Sequence, residues 1–488
     1  MAAVLLLLSA GATNAFGGEG AAGGPPVEEL TLANGMTFLL VERPGIPMTA
    51  AVWVAHTGSG DEQAGTTGVS HLLEHLLFRG SRTIGARDVR RELELFARED
   101  AIAAELQDPG LDAAHRAELE RRSQRLAEEL RALQVKGEYA LHYTRAGAVG
   151  INAVTHRDLT AYYLMLPAPR LELWFWMESD RLLAPMLRDF YAEYEIVEQE
   201  RHQRIDSVPG RPEQLELERR FWGDDHPYSW PTIGRTEDLS WITRPVAEAY
   251  FRSRYRPDRL TAALVGDFDA AQVRRWADRY FGRLAPGSPV ERQSRSGDEA
   301  NGHSPRIRQV AACDCPTQIE ILYPTQPFGH PEAVALDVLA GVLGGRTGRL
   351  HRGLVLERGI AFSASAQHAP LRRGGAFSVV AEARGSTTAE ALEAAWLEEL
   401  ERLRREGVGG RELQKVKNRI TTDAAREVKE PLQLALRLAV YDALGDWRQL
   451  YTFPERAQAV TAEDLERVIE RYLGPERRAT LLLERRSR

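Results

Sequence analysis

Cysteine is scarce in this chain of 488 residues, which has only Cys313 and Cys315. Two cysteines cannot form the network of disulfides that holds many small secreted domains together. Because a single residue separates them, the two are not expected to bridge comfortably. We interpret both as small apolar residues rather than as metal ligands, and we expect no disulfide framework.

An excess of positive charge is also missing. Lys and Arg number 63 against 70 Asp and Glu, which gives a formal net charge of −7 at pH 7. Nothing in this balance points to nucleic acid as a partner. With 43% hydrophobic and 27% charged residues, the chain has the composition of a globular protein, and its length predicts two or three domains.

Long hydrophobic runs are absent as well. The apolar run at residues 3–12 is too short to form a stable membrane anchor. Small residues at 13–15 and a Gly/Pro-rich stretch follow it, so we predict a secretory signal peptide and flexible leader over residues 1–26. No Lys or Arg follows Met1, which leaves open a misassigned start or a buried strand. Export to a bacterial periplasm or beyond is the expectation, and with no cysteine after the run a lipoprotein is not expected.

The sequence at residues 68–80, GVSHLLEHLLFRG, contains the densest group of chemically useful side chains. On a helix, His71 and His75 lie on one face about one turn apart, where their ring nitrogens can share one metal ion. Glu74 lies at the edge of that face, in reach of a water molecule at the metal. The order H-x-x-E-H is the inverzincin signature, so we predict a zinc site.

The alternative is a chance match, since a helical histidine is more often a surface or core residue than a ligand. The helix is apolar almost all round, which indicates burial; the residues concerned are Leu72, Leu73, Leu76, Leu77 and Phe78. Buried histidine and glutamate side chains need partners. A zinc ion would supply one.

A third ligand is predicted on the helix that starts near Phe190, FYAEYEIVEQERHQRI. Its spacing predicts one inward face, made of Glu193, Ile196, Val197 and Glu200. The solvent face is predicted to carry Glu195, Glu198 and His202. We interpret Glu200 as the ligand and Glu193 as a carboxylate that orients a histidine, the alternative being glutamates that reach out to solvent.

These residues resemble, in type and order, the zinc site of the pitrilysin/insulinase family of zinc metallopeptidases, in its two-domain bacterial and mitochondrial-processing-type branch. That family has H-x-x-E-H followed further along the chain by a helical glutamate, with another acidic residue seven positions before it. Here the interval is longer, and a Glu-, Arg-, Ala- and Leu-rich insertion at residues 96–139, predicted to be a helical hairpin, accounts for the excess. Tyr194 departs from the family, which usually has arginine there.

The resemblance implies an α+β fold of two similar α/β halves, each an antiparallel sheet packed with helices, closing as a clamshell. It implies a zinc-bearing half at residues 27–284, a linker at 285–305 and a homologous half without a zinc motif at 306–488. The first half closes with a strand ending at Gly266 and then a helix, whereas a helix precedes a strand at the end of the second half. We interpret this order as reversed, so the internal repeat is only suggested.

A zinc endopeptidase is the function that the resemblance implies. One Zn²⁺ per chain would be held by His71, His75 and Glu200, with Glu74 as the general base for hydrolysis of a peptide bond. Asn152, Ala153 and Thr155 match the family's N-A-x-T segment, where an edge strand pairs with the substrate backbone. Pairing of this kind predicts peptides or unfolded segments as substrates, with little sequence preference.

A second departure lies in the second half. Active relatives carry an arginine and a tyrosine there, seven residues apart, that reach the substrate near the zinc. With Gly359 fixing the register, this chain has Val355 and Phe362 at those positions. The expected partner is therefore a homologous subunit that supplies the missing pair. The alternative is a non-catalytic scaffold or assembly subunit of the same fold.

Overall fold

The computed structural model of the chain describes residues 24–287 and 307–486. Most of the predicted leader, residues 1–23, and the predicted linker from residue 288 onward therefore lie outside the described residues. Within the two described ranges, no helix is both long enough and apolar enough to cross a membrane.

Two sheets contain all eleven strands of the described residues. The first sheet is formed by β1 Glu28–Thr31, β2 Thr37–Glu42, β3 Met48–Ala55, β4 Val149–Thr155, β5 Thr160–Pro167 and β6 Leu260–Gly266. The second is formed by β7 Ile307–Cys313, β8 Gln318–Thr325, β9 Ala361–Leu371, β10 Gly374–Ala383 and β11 Ala479–Arg485.

Helices surround both sheets. In the first half they are α1 Val69–Leu76, α2 Val89–Leu106, α3 Ala113–Leu133, α4 Glu138–Arg145, α5 Leu171–Leu183, α6 Phe190–Arg201, α7 Arg211–Trp222, α8 Thr236–Leu239, α9 Arg244–Arg254 and α10 Ala270–Tyr280. In the second they are α11 Ala333–Leu343, α12 Ala389–Glu406, α13 Gly410–Glu427, α14 Pro431–Leu444, α15 Gln449–Ala459 and α16 Ala462–Tyr472.

The two sheets share one topology. Their strand orders are β1-β2-β6-β3-β5-β4 and β7-β11-β8-β10-β9. In each, the last strand in sequence lies between a parallel and an antiparallel neighbour, β2 and β3 for β6, β7 and β8 for β11. An antiparallel hairpin forms the far edge of each sheet. The second sheet therefore repeats the first without β1.

The repeat also corrects our interpretation of how each half ends. In the first half, α9 is followed by a short 3₁₀ helix at Pro257–Arg259 and then by β6. In the second, α16 is followed by a 3₁₀ helix at Pro475–Arg477 and then by β11. The order is the same in both halves. The interpretation of a reversed order was wrong because it began at β6 and overlooked the helix before it.

Each half contributes one helix to the core of the other. Helix α14 packs its fully buried face against β3 and β6 of the first sheet; that face consists of Leu434, Ala435, Leu438 and Ala439. In the opposite direction, Leu217 and Phe221 of α7 pack against β7 and β11. Because burial of apolar side chains is the main stabilising contribution to folding, the two halves stabilise one another.

The segment rich in Glu, Arg and Leu forms an antiparallel pair of helices, α2 and α3. Its first helix begins at Val89, before residue 96, because the Asp88 carboxylate accepts a hydrogen bond from the Arg91 backbone N–H, 3.0 Å, and caps the helix there. Leu119, Leu126 and Leu130 form the buried stripe of α3.

The expectation that the two cysteines do not pair was wrong. A disulfide joins Cys313 to Cys315, with Cα atoms 5.2 Å apart. Residues two apart on an extended chain point to the same side. In addition, β7 ends at Cys313 and the chain bends at Asp314 and Cys315, which brings the sulfur atoms together.

Candidate metal centre

Helix α1 carries the H-x-x-E-H residues into the core. Leu72, Leu73 and Leu76 are fully buried beneath it, which explains why the sequence is apolar on most sides. Gly68 precedes the helix with φ of 97°, and a Cβ atom there would lie only 2.7 Å from the carbonyl oxygen of Ile233. A glycine is therefore required where the loop enters the helix.

The first turn of α1 is held by a buried carboxylate. Glu62 accepts hydrogen bonds from the backbone N–H groups of Gly68 and Ser70, both at 2.8 Å. These N–H groups lack partners within the helix itself, so the carboxylate caps it. Burial raises the pKa of Glu62 to about 8 despite these bonds.

Helix α6 brings Glu200 against both histidines. The Glu200 carboxylate lies 3.8 Å from His71 Nε2 and 3.4 Å from His75 Nε2. The two imidazole rings are 4.8 Å apart, centroid to centroid. Within the described residues, His71, His75 and Glu200 form the one group of three whose ligand atoms lie close enough together to hold a metal ion, all within 4.8 Å of one another.

The charges in this cluster suit a cation. Burial, and then the neighbouring His75, lower the pKa of His71 to about 4, so its imidazole is neutral at pH 7. Burial raises the pKa of Glu200, but the adjacent His75, His71 and Arg204 outweigh burial and keep that pKa below its usual value. Glu200 thus presents a negative charge between imidazole rings, of which at least His71 is neutral.

Glu193 also faces inward and contacts His75 from the other side. Its carboxylate lies 3.2 Å from His75 Nδ1 and forms an ion pair with Arg79. A carboxylate on Nδ1 leaves Nε2 facing Glu200, which is the arrangement that fixes a histidine as a metal ligand.

The predicted inward face of α6 is only partly correct. Glu193 and Val197 are buried, whereas Ile196 is 45% exposed. At 100° per residue, Ile196 lies at the edge of the stripe that Glu193, Val197 and Glu200 form. The predicted solvent face, which includes Glu195, Glu198 and His202, is exposed.

Glu74 approaches the cluster without joining it. Its carboxylate accepts a hydrogen bond from the Thr155 hydroxyl, 2.5 Å, at the end of β4. Burial raises the pKa of Glu74. The hydrogen bond ties α1 to β4, the edge strand of the first sheet, on which Asn152 is exposed and Ala153 buried.

The donor set fits zinc. Two imidazoles and one carboxylate are a common set for catalytic zinc, which leaves a fourth position for water or substrate. Tetrahedral bonds of about 2.0–2.1 Å place ligand atoms about 3.4 Å apart, close to the 3.4 and 3.8 Å between the carboxylate and the two rings. Mg²⁺ and Ca²⁺ prefer sites made of oxygen ligands.

Two protein-family models match parts of the chain. "Insulinase (Peptidase family M16)" matches residues 39–101, which include α1, and "Peptidase M16 inactive domain" matches residues 242–420. The zinc protease PqqE of Helicobacter pylori is 23% identical over 94% of this chain and 93% of its own length. Models of peptidase family M16 thus match parts of both halves of the chain.

Solved structures show the same fold. A protease from Helicobacter pylori superposes with a TM-score of 0.76 at 22% identity, covering 94% of this chain and 100% of that one. The periplasmic protease PqqL from Escherichia coli gives a TM-score of 0.69 at 17% identity, covering 94% of this chain and 48% of that one. The predicted α+β fold of two similar halves is confirmed.

Val355 and Phe362 stand where the family resemblance implies an arginine and a tyrosine; Val355 lies before β9 and Phe362 near its start. Val355 belongs to a π-helical turn at His351–Glu357 and packs against the core of the second half. Phe362 is 70% exposed, and Leu356 nearby is 66% exposed. The hydrogen bonds and ion pairs of the four residues His71, Glu74, His75 and Glu200 all go to residues of the first half.

Several residues around the site were not predicted from the sequence. Arg204 forms an ion pair with Glu200, 2.5 Å, one turn along the chain; the i,i+4 spacing of these opposite charges was a usable signal. Arg79 gave no such signal, because its partner Glu193 lies on another helix. Glu62 gave none because its partners are backbone N–H groups.

Proposed function

We propose that the chain is a zinc-dependent endopeptidase that hydrolyses peptides or unfolded segments inside a chamber, and that it acts as the zinc-bearing subunit of a heteromer. The observation that carries the proposal is the convergence of two imidazoles and the Glu200 carboxylate beside a glutamate, Glu74, that does not join them. Metal-assisted hydrolysis requires a metal site with a carboxylate beside it that is not itself a ligand.

His71, His75 and Glu200 would hold the ion, and Glu193 would orient His75. Zinc bound there would supply Lewis-acid chemistry, polarising the scissile carbonyl group and lowering the pKa of a water molecule towards about 7. Glu74 would accept a proton from the attacking water and later deliver it to the leaving amine. The Thr155 hydroxyl, which donates to Glu74 at 2.5 Å, would keep the carboxylate in place.

Strand β4 would bind the substrate. It forms the outer edge of the first sheet, so an extended peptide can add to it through backbone hydrogen bonds. Asn152, Ala153 and Thr155 lie on this strand, and Thr155 contacts Glu74 directly. A peptide on this edge would therefore pass beside the general base.

The proposal of a heteromer rests on two residues of the second half. Phe362 has no hydroxyl and Val355 no donor, so neither can stabilise the negative charge that develops on the substrate oxygen. Removal of one such donor generally costs about a hundredfold or more in rate. A homologous subunit with an arginine and a tyrosine at these positions would restore the pair, and the exposed Phe362 lies on an open surface where a partner can approach.

The second candidate, a non-catalytic assembly subunit, is favoured by the same two substitutions and by the "inactive domain" description of the matching family model. Against it stands the complete set of His71, Glu74, His75 and Glu200.

We also propose export to the periplasm, supported by the apolar run at residues 3–12 and by the periplasmic relative.

Cleavage of a quenched fluorescent peptide tests the proposal. The zinc-loaded chain is assayed alone, together with a homologous subunit that has the arginine and tyrosine but no H-x-x-E-H, and as the Val355→Arg, Phe362→Tyr double variant alone. We expect little cleavage by the chain alone, and rates about a hundredfold higher in the other two assays. Full activity of the unaltered chain alone would overturn the heteromer. Lack of cleavage in all three would favour the scaffold.

A further inference from the structure

The tip of a hairpin in the second half contacts the loop before α1 and the turn between β4 and β5. Arg372 and Arg373 connect β9 to β10. The Arg372 guanidinium donates to the Asp61 carboxylate, 2.6 Å, and to the His56 carbonyl oxygen, 3.1 Å. Its backbone N–H donates to the Asp158 carboxylate, 2.9 Å. One residue of the second half thus binds three acceptors on two segments of the first.

Asp61 connects this contact to the zinc helix. The side chain is 2% exposed and lies among four arginines, of which Arg372 and Arg373 come from the second half. These charges outweigh burial and keep the pKa of Asp61 below its usual value. The next residue is Glu62, whose carboxylate caps α1 through Gly68 and Ser70. A shift of Asp61 would therefore move the start of α1.

Asp158 connects the same contact to the edge strand. It lies in the turn between β4 and β5, three residues after Thr155, and is 2% exposed. This turn also binds the loop before α1, since the backbone N–H groups of Ser59 and Gly60 donate to the carbonyl oxygens of His156 and Arg157. Thr155 in turn donates to Glu74.

We propose that Arg372 is a positioning residue for the metal site, acting on the two elements that meet at the Glu74–Thr155 hydrogen bond. As a planar fork, its guanidinium binds two acceptors at once while the backbone of the same residue holds a third. Through Asp61 it fixes α1, and through Asp158 it fixes β4. The consequence for catalysis rests on the proposed function, whereas the placement of α1 and β4 does not.

Hydrogen exchange of backbone amides tests the placement directly. In Arg372→Ala, the buried Asp61 loses its guanidinium partner, and Asp158 loses its 3.7 Å ion pair but keeps the backbone N–H donor. We expect exchange in residues 68–77 and 149–159 to become faster by about tenfold or more. Arg43→Ala is the matched control, because Arg43 also joins the halves, through the carbonyl oxygens of Val428 and Lys429, but contacts neither Asp61 nor Asp158. Equal exchange in the two variants would overturn the proposal.

Arg372→Lys is the second variant if Arg372→Ala fails to fold. Lysine keeps the charge but cannot bind Asp61 and the His56 carbonyl oxygen as a fork, so exchange in both segments should again exceed that of Arg43→Ala. Exchange unchanged from the unaltered chain in this variant would contradict the role assigned to the guanidinium.

A double-mutant cycle tests the consequence for catalysis in the active assembly. Arg372→Ala is expected to lower kcat by about a hundredfold, as small misplacements near a reacting group do, with KM little changed. In a Thr155→Val background the same substitution should cost much less, because the contact through which it acts is gone. If the effects of the two substitutions on kcat were fully additive, Arg372 would not act through the Thr155–Glu74 hydrogen bond. If the unaltered protein binds no zinc and cleaves no peptide, the proposed function fails, while the exchange comparison still decides the placement role.

Discussion

Glu193 shows most clearly how single residues shape the candidate site. It is buried, contacts His75 Nδ1 at 3.2 Å and forms an ion pair with Arg79. It therefore connects a predicted ligand to a fixed positive charge. A carboxylate in this role controls the orientation of the ring and its basicity, not the number of ligands.

We predict that Glu193→Gln weakens zinc binding about 10- to 100-fold without changing the number of ions per chain. Competition with a chelator of known affinity measures the effect. Glu195→Gln is the control, since Glu195 lies on the same helix but is exposed. Equal affinities in the two variants would show that Glu193 does not orient His75.

The sequence was most informative about residues whose spacing is set within one helix. His71, Glu74 and His75 could be placed together because five consecutive residues cover little more than one turn, and Glu200 could be paired with Glu193 by its separation of seven. The error at Ile196 arose at the border of the stripe, where the packing of neighbours decides burial. Arg79 could not be found, because its partner is distant in sequence.

At the scale of elements, the end of β3 is a titratable contact between the halves. His56 follows β3, bonds to Thr261 Oγ1 at 2.9 Å and lies 3.8 Å from Asp442 of α14. Burial, and then the charges of Arg372 and Arg259, lower the pKa of His56 to about 3, against the smaller opposing effects of Asp61 and Asp258. The unfolded chain therefore binds a proton below about pH 6.5 that the folded chain does not bind.

Because the folded-state pKa is depressed, this contribution to stability is present above pH 6.5 and is lost as pH falls towards 3. The slope approaches about 1.4 kcal/mol per pH unit for one such group. We predict that the urea midpoint falls more between pH 7 and pH 5 in the unaltered chain than in His56→Gln. The same fall in both proteins would mean that His56 is not the group responsible.

Elements were predictable where a turn signal and strand patterns coincide. Asn-Gly is a strong hairpin signal, and Asn34-Gly35 lies between the antiparallel strands β1 and β2. The disulfide was missed because a bend after β7 cannot be inferred from strand periodicity. The order of the repeat was misread because the comparison began at β6 and left out α9, the helix that corresponds to α16.

At the scale of the whole molecule, the exchange of helices is the feature that sequence patterns could not give. The apolar face of α14 predicts that it is buried, but not that its partner is a sheet some 170 to 390 residues earlier in the chain. The spacing of apolar residues identifies the buried face of a helix but does not show which element covers that face.

We therefore predict that residues 27–284 alone do not form a stable, monomeric fold. Without α14, the buried surface of β3 and β6 would be exposed; it includes Val52, Ala263 and Val265. Such an apolar surface promotes aggregation. Co-expression with residues 306–488 should restore solubility, as judged by size-exclusion chromatography. A soluble, cooperatively unfolding fragment of residues 27–284 would contradict the role given to α14.

Zinc content per chain, measured in the unaltered protein and in Glu74→Gln, tests the central claim most directly. With His71, His75 and Glu200 as ligands and Glu74 as the base, we predict close to one zinc ion per chain in both proteins, and loss of peptide cleavage in the variant when each is assayed with the homologous partner. Absence of zinc from the unaltered protein would contradict the proposed metal centre. Loss of zinc in Glu74→Gln would make Glu74 a ligand and not the base.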